Sequence, residues 1–248
     1  MAARKSFIGI VRSDQSAQQG YIDVYSPFFQ VGLDYAMGHP DYTFPNTLKK
    51  ISTRYGAEFN CYDENNRVST HPGPYPGIVQ NIDTLKNDGA YFIGYDLETS
   101  NSPDVENTNR TKYISLAATA AHSNGLALEI APGIPGLLIQ PATDLTPLLS
   151  NGDLFVIQAE TAVPNGTTNT NISTFVNKVK PFAAEIHRIN PNVRAIAEVS
   201  TTPGGSTTTL DMLQRCWMAV ADECDGVTVW PGNQPDKLLR DFVSWFCR

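Results

Sequence analysis

The chain has 248 residues, 17% of them charged, and a formal net charge of −7. Its lysines and arginines are scattered, which excludes the basic footprint of a nucleic-acid or anionic-membrane binder, and its longest apolar runs fall well short of the roughly 20 residues of a membrane-spanning helix. The length suits a single domain with a full core.

The first residues, Met-Ala-Ala-Arg-Lys-Ser-Phe-Ile-Gly-Ile-Val, lack a hydrophobic signal core followed by a small-residue cleavage site. Residues 7–11, a run within 21–33, and 57–62 are predicted strands. His71-Pro-Gly-Pro-Tyr-Pro-Gly77 reads as a rigid turn-rich loop rather than a tether, and 78–86 as a helix.

Tyr91–Glu98 is an apolar strand with two carboxylates at its end. Strand alternation points Phe92, Gly94, Asp96 and Glu98 one way, and Ile93, Tyr95 and Leu97 the other. Two carboxylates on one face of a buried strand are costly unless something uses them. A helix follows near 108–123, with Tyr113, Leu116, Ala117 and Ala120 on its predicted inner face, and Asn124-Gly125 stops it.

Strand and helix then alternate. Strands are predicted at 126–131, 154–159, 193–199 and 227–230, and helices near 144–149 and at 173–189, 208–221 and 235–246. In the 173–189 helix Phe175, Val179, Phe182 and Ile186 are expected inward. The strands are almost wholly apolar, as parallel sheets covered on both faces require. Eight strands in this pattern predict a single (β/α)8 TIM-type barrel spanning 1–248, with an irregular N-terminal third. The competitor is an open doubly wound sheet, but no Gly-x-Gly-x-x-Gly follows the first strand and no phosphate loop occurs.

In such a barrel catalytic side chains stand at the C-terminal strand ends. Asp96, Glu98, Glu129, Glu160, Glu198 and Trp230 all fall there. Any one of these carboxylates alone could instead be a helix cap or an ion-pair partner. A close pair, however, raises the pKa of one member and leaves the other ionised, which makes a general acid beside a stabilising anion. Tyr62, Tyr95 and Gln158 are further hydrogen-bonding candidates, although the parity of Tyr95 places it under a helix. The four histidines, His39, His71, His122 and His187, lack metal-ligand spacing. The loop Thr201–Thr209 can receive an anion, but a turn with a helix N-cap is the simpler reading.

Asn87-Asp-Gly-Ala-Tyr-Phe-Ile-Gly-Tyr-Asp-Leu-Glu98 resembles the fourth strand of the family 18 glycoside hydrolases, the chitinase-like barrels, whose signature there is Asp-x-x-Asp-x-Asp-x-Glu. Gly125–Pro132, Asp153–Gln158 and Asp225–Trp230 are similar to that family's fifth, sixth and eighth strands. The resemblance covers roughly 78–246. It implies that Glu98 protonates the leaving glycosidic oxygen, that Asp96 orients the substrate acetamido group, and that Trp230 floors a sugar subsite. Gln158, Glu129, Glu198 and Tyr62 are the other expected substrate contacts, and Glu160 is a further catalytic candidate.

The chain departs from the signature at Gly94 and Tyr91, which stand where the earlier aspartates belong, and at Glu160, which stands where that family has a tyrosine. The carboxylate missing at Gly94 could be supplied by Glu129 or by Glu160.

The expected function is a glycoside hydrolase acting on an oligosaccharide or polysaccharide, N-acetylated or not, without a cofactor, as a monomer. Two alternatives stay open. One is a carboxylate-rich lyase, cyclase or Mg²⁺-dependent barrel enzyme, and the other an inactive carbohydrate-binding barrel. Triplets at Asn109, Asn165 and Asn171 permit a secreted origin, and the low charge with abundant Asn, Thr, Ser and Pro leans slightly toward a secreted mature form without its signal peptide. Of Cys61, Cys216, Cys224 and Cys247, the middle two share a predicted helix about 12 Å apart, beyond disulfide reach. Pairing of either with Cys247 and free buried thiols both remain open.

Overall fold

The computed structural model describes residues 8–10, 56–63, 77–87, 89–98, 102–132, 145–166, 170–230 and 236–246. Seven of the eight predicted strands are present: β1 (Ile8–Ile10), β2 (Gly56–Phe59), β3 (Phe92–Asp96), β4 (Ala127–Ala131), β5 (Leu154–Ile157), β6 (Arg194–Ser200) and β7 (Gly226–Trp230). The predicted strand within 21–33, His39 and His71, and Cys247 lie outside the described residues. Every strand pair among the described residues with a defined register is parallel. The expectation of a parallel β/α architecture therefore holds.

The helices are α1 (Ile78–Asn87), α2 (Asp104–Thr108), α3 (Arg110–Ser123), α4 (Thr146–Leu149), α5 (Ser173–Ile189), α6 (Leu210–Val220) and α7 (Asp236–Phe246). Short 3-10 turns occur at Glu160–Ala162 and Pro203–Gly205. No described helix is long and apolar enough to cross a membrane.

Contacts divide the chain into two compact units. One runs over 32–155 with 189–193, and the other comprises 1–31, 156–188 and 194–248. In the first unit the sheet order is β2-β3-β4, joined by the start of β5. All five residues of β3 are buried, and Ile93 and Leu128 are fully enclosed, as a strand covered on both faces requires. Helix α3 presents Tyr113, Ile114, Ala117, Ala118 and Ala121 to the core. This corrects the predicted face, because Leu116 is 36% exposed. Four closely spaced alanines leave the apolar stripe poorly defined, so bulky Tyr113 and Ile114 set the rotation. Gly125, at φ +74, ends the helix in the left-handed conformation that glycine adopts freely.

In the second unit β1 and β6 flank β7. Helix α5 matches its predicted bounds and buries Phe175, Val179, Ala183 and Ile186, with Phe182 only half-buried. Pro181 lies inside this helix on its solvent side, where the lost backbone donor is least costly. Trp217 packs on Phe246 with ring centroids 5.3 Å apart, joining α6 to α7. Thr209 caps α6 by accepting the Met212 N–H at 3.2 Å, so the Thr201–Thr209 loop takes its simpler reading.

Candidate active site

In the first unit the register of β3 and β4 places Gly94 opposite Glu129 and Asp96 opposite Ala131. Residues in register on parallel strands project from one face, so Gly94, Asp96 and Glu129 share it. Asp96 is 3% exposed and Glu129 2%. Asp96 and Glu129 are thus diagonal neighbours on adjacent strands, about 7–8 Å apart. Gly94 fills none of the space between them.

Asn60, just past β2, directs its amide at Asp96. Its Nδ2 lies 3.3 Å from Asp96 Oδ2 and 3.4 Å from the Asp96 carbonyl oxygen. Sequence reasoning missed Asn60. The available signal was a polar residue immediately after a strand, one step past the Phe59–Tyr95 pair and so beside Asp96.

Glu98 is half-buried two residues beyond the end of β3. Its backbone is bracketed by the chain that follows. The Glu98 N–H donates to Ser102 Oγ at 2.9 Å, while the Glu98 carbonyl accepts from Ser102 N–H at 2.9 Å and from Asn107 Nδ2 at 3.2 Å.

The opposite face of β3 is structural. Tyr95 is fully buried, as its parity predicts, and its hydroxyl donates to Glu106 Oε2 on α2. The same oxygen accepts the Tyr62 N–H at 2.9 Å. Burial, together with the Glu106 charge, drives the Tyr95 hydroxyl far above its ordinary pKa. Tyr62, expected as a substrate contact, sets its ring against Tyr113 of α3 at 6.1 Å, and its carbonyl accepts from Val79 N–H at 3.0 Å. Burial and the nearby Asp63 and Glu106 charges raise its hydroxyl as well. Gly77 lies so close that a Cβ there would meet the Tyr62 carbonyl oxygen at 2.8 Å. Glu106 itself was invisible to sequence reasoning, because a glutamate in the first turn of a short helix usually faces water.

The other expected residues belong to the second unit. Glu198 and Ser200 of β6 stand in register with Thr228 and Trp230 of β7. Glu198, Ser200 and Thr228 are buried and Trp230 is half-buried, so this face carries three enclosed polar groups below one accessible indole. Gln158 follows β5 and is half-buried. Glu160 opens the 3-10 turn that packs against β6, and its Oε2 is buried without a hydrogen-bond partner.

Among the described residues no group of three or more His, Cys, Asp or Glu side chains could hold a metal ion. Cys216 and Cys224 are free buried thiols, each pushed up to about 12 by burial, and Cys61 is also buried.

No protein-family model and no curated protein matches the chain. Solved structures do. A chitinase from Chromobacterium violaceum superposes with a TM-score of 0.62 at 14% identity, over 97% of this chain and 98% of its own. A class V chitinase from Pseudomonas fluorescens gives 0.59 at 12% identity, over 96% and 99%. The spore cortex-lytic enzyme SleL of Bacillus megaterium gives 0.58 at 10% identity, over 95% and 72%. The chain therefore shares the fold of solved chitinases, as its strand motifs lead one to expect.

Proposed function

We propose that the protein is a glycoside hydrolase acting on an N-acetylated oligosaccharide or polysaccharide, folded as one closed (β/α)8 barrel domain over 1–248. The observation that carries this reading is the Asp96-x-Glu98 pair at the end of β3, in a chain that shares the fold of chitinases. Glu98 protonates the glycosidic oxygen as the bond breaks. Asp96, fixed by Asn60, orients the substrate's acetamido group. Glu129, on the same sheet face as Asp96, supplies the second carboxylate that Gly94 cannot.

In the second unit the half-buried Trp230 offers an aromatic face suited to a sugar ring, with Glu198, Gln158 and Glu160 as polar candidates. A second reading, carbohydrate binding without turnover, is favoured by Gly94 and Tyr91 standing in place of the signature aspartates. Incubation with a β-1,4-linked N-acetylglucosamine oligomer, followed by mass spectrometry of the products, separates the two. Shorter oligomers formed by the native chain and absent with Glu98→Gln support hydrolysis. Binding with no cleavage by the native chain supports the second reading.

A further inference from the structure

We infer that Ser102 is a positioning residue for Glu98, an inference that rests on the proposed role of Glu98 as the acid. The register of β3 with β4 ends at Asp96, two residues before Glu98. The Ser102 hydroxyl, on a residue only 1% exposed, bonds to the backbone on both sides of this point. Its oxygen accepts the Glu98 N–H at 2.9 Å and donates its single proton to the Asp96 carbonyl at 3.2 Å. One hydroxyl thus spans the backbones of both members of the Asp-x-Glu pair.

The Ser102 N–H returns to the Glu98 carbonyl at 2.9 Å, and Asn107 Nδ2 braces the same carbonyl at 3.2 Å and the Ser102 carbonyl at 3.1 Å. Asn107 is carried on α2, whose Glu106 is tied to Tyr95 of β3, so the bracket is anchored to the strand it extends. A hydroxyl is needed because the position calls for a lone pair on one side and a proton on the other. The bracket fixes where the Glu98 Cα stands, and an acid misplaced by an ångström or so loses about 100-fold in rate.

Ser102→Ala removes one oxygen and no packing volume. It is expected to lower kcat on the N-acetylglucosamine oligomer about 10- to 100-fold with KM within about twofold, while Ser102→Thr, which keeps the hydroxyl, restores most of the loss. Asn107→Ala is expected to show the same kcat-weighted loss, and it decides the matter if either Ser102 variant fails to fold. Unchanged kcat in a folded Ser102→Ala, or a loss that appears wholly in KM, overturns the inference. Glu98→Gln, measured alongside, keeps the two ideas apart. Full activity in that variant defeats the acid assignment itself, whereas an inactive Glu98→Gln beside a fully active Ser102→Ala defeats only the positioning role.

Discussion

Gly94 of β3 and Glu129 of β4 are Cα partners in parallel register, so a buried carboxylate stands beside a residue with no side chain. The next residue on that face of β3 is Asp96, also buried. If Glu129 serves the reaction, Glu129→Gln lowers kcat by about 10- to 100-fold and alters the pH dependence of kcat, while KM changes little. A pH–rate profile superposable on that of the native chain assigns Glu129 to packing alone.

Glu106 is completely buried and accepts from both the Tyr95 hydroxyl and the Tyr62 N–H. Tyr95→Phe takes one donor from an enclosed acceptor, which costs about 1.5–3 kcal/mol for a hydrogen bond to a charged group. At roughly 2–4 °C per kcal/mol for a chain of this size, calorimetry is expected to show a Tm lowered by several degrees. A Tm within a degree of native contradicts the anchoring role of this bond.

Alkaline stability follows from three buried groups. Cys216 and Cys224 are pushed from 9.0 up to about 12, and Tyr95 is raised well above 10.0, in each case chiefly by burial. Well below pH 8 all three are protonated whether the chain is folded or not, so they add no pH dependence to stability there. Above that, the unfolded chain gives up these protons first, so unfolding is favoured progressively as pH rises toward 12. Denaturant midpoints measured from pH 8 upward are expected to fall, and to fall less steeply in Cys216→Ala. Equal slopes for the two proteins refute the thiol contribution.

One device occurs twice, once in each unit. Asp153, just before β5, accepts the Leu128 N–H of β4 and bonds His122 of α3, both at 2.7 Å. Asp225, just before β7, accepts the Ala195 N–H of β6 and bonds His187 of α5, both at 2.9 Å. Each aspartate thereby ties a strand's first free amide to the helix preceding that strand. Asp153→Ala and Asp225→Ala are each expected to cost about 1–3 kcal/mol in urea unfolding, with catalytic constants unchanged, because these clasps sit at the strand starts and the carboxylates of interest at strand ends. A loss of kcat without loss of stability runs against this reading.

The sequence made the scaffold legible and much of the site's support illegible, for physical reasons. Apolar runs such as Phe92–Asp96 and the 3.6-residue stripe of α5 report burial directly, so strands and helices emerged with near-correct bounds. The alanine-rich α3 carries no such contrast, and its inner face was misjudged at Leu116. Strand parity correctly sent Tyr95 beneath a helix, but parity cannot say which side chain receives its proton. Glu106, Ser102, Asn107 and Asn60 matter through bonds reaching 4 to 44 positions along the chain, and such partners leave no periodic trace. The pairing of Gly94 with Glu129 depends on register between strands 35 residues apart, a quantity that only the folded sheet defines.

The most direct measurement compares native and Glu98→Gln proteins on two N-acetylglucosaminides, one with a sugar leaving group and one with 2,4-dinitrophenolate, which departs without protonation. The account predicts a loss of about 100-fold or more on the first. On the second, first-turnover dinitrophenolate release should be nearly unchanged, and so should the Tm. Equal losses on both substrates, or normal turnover of the sugar leaving group, would contradict the assignment of Glu98 as the proton donor.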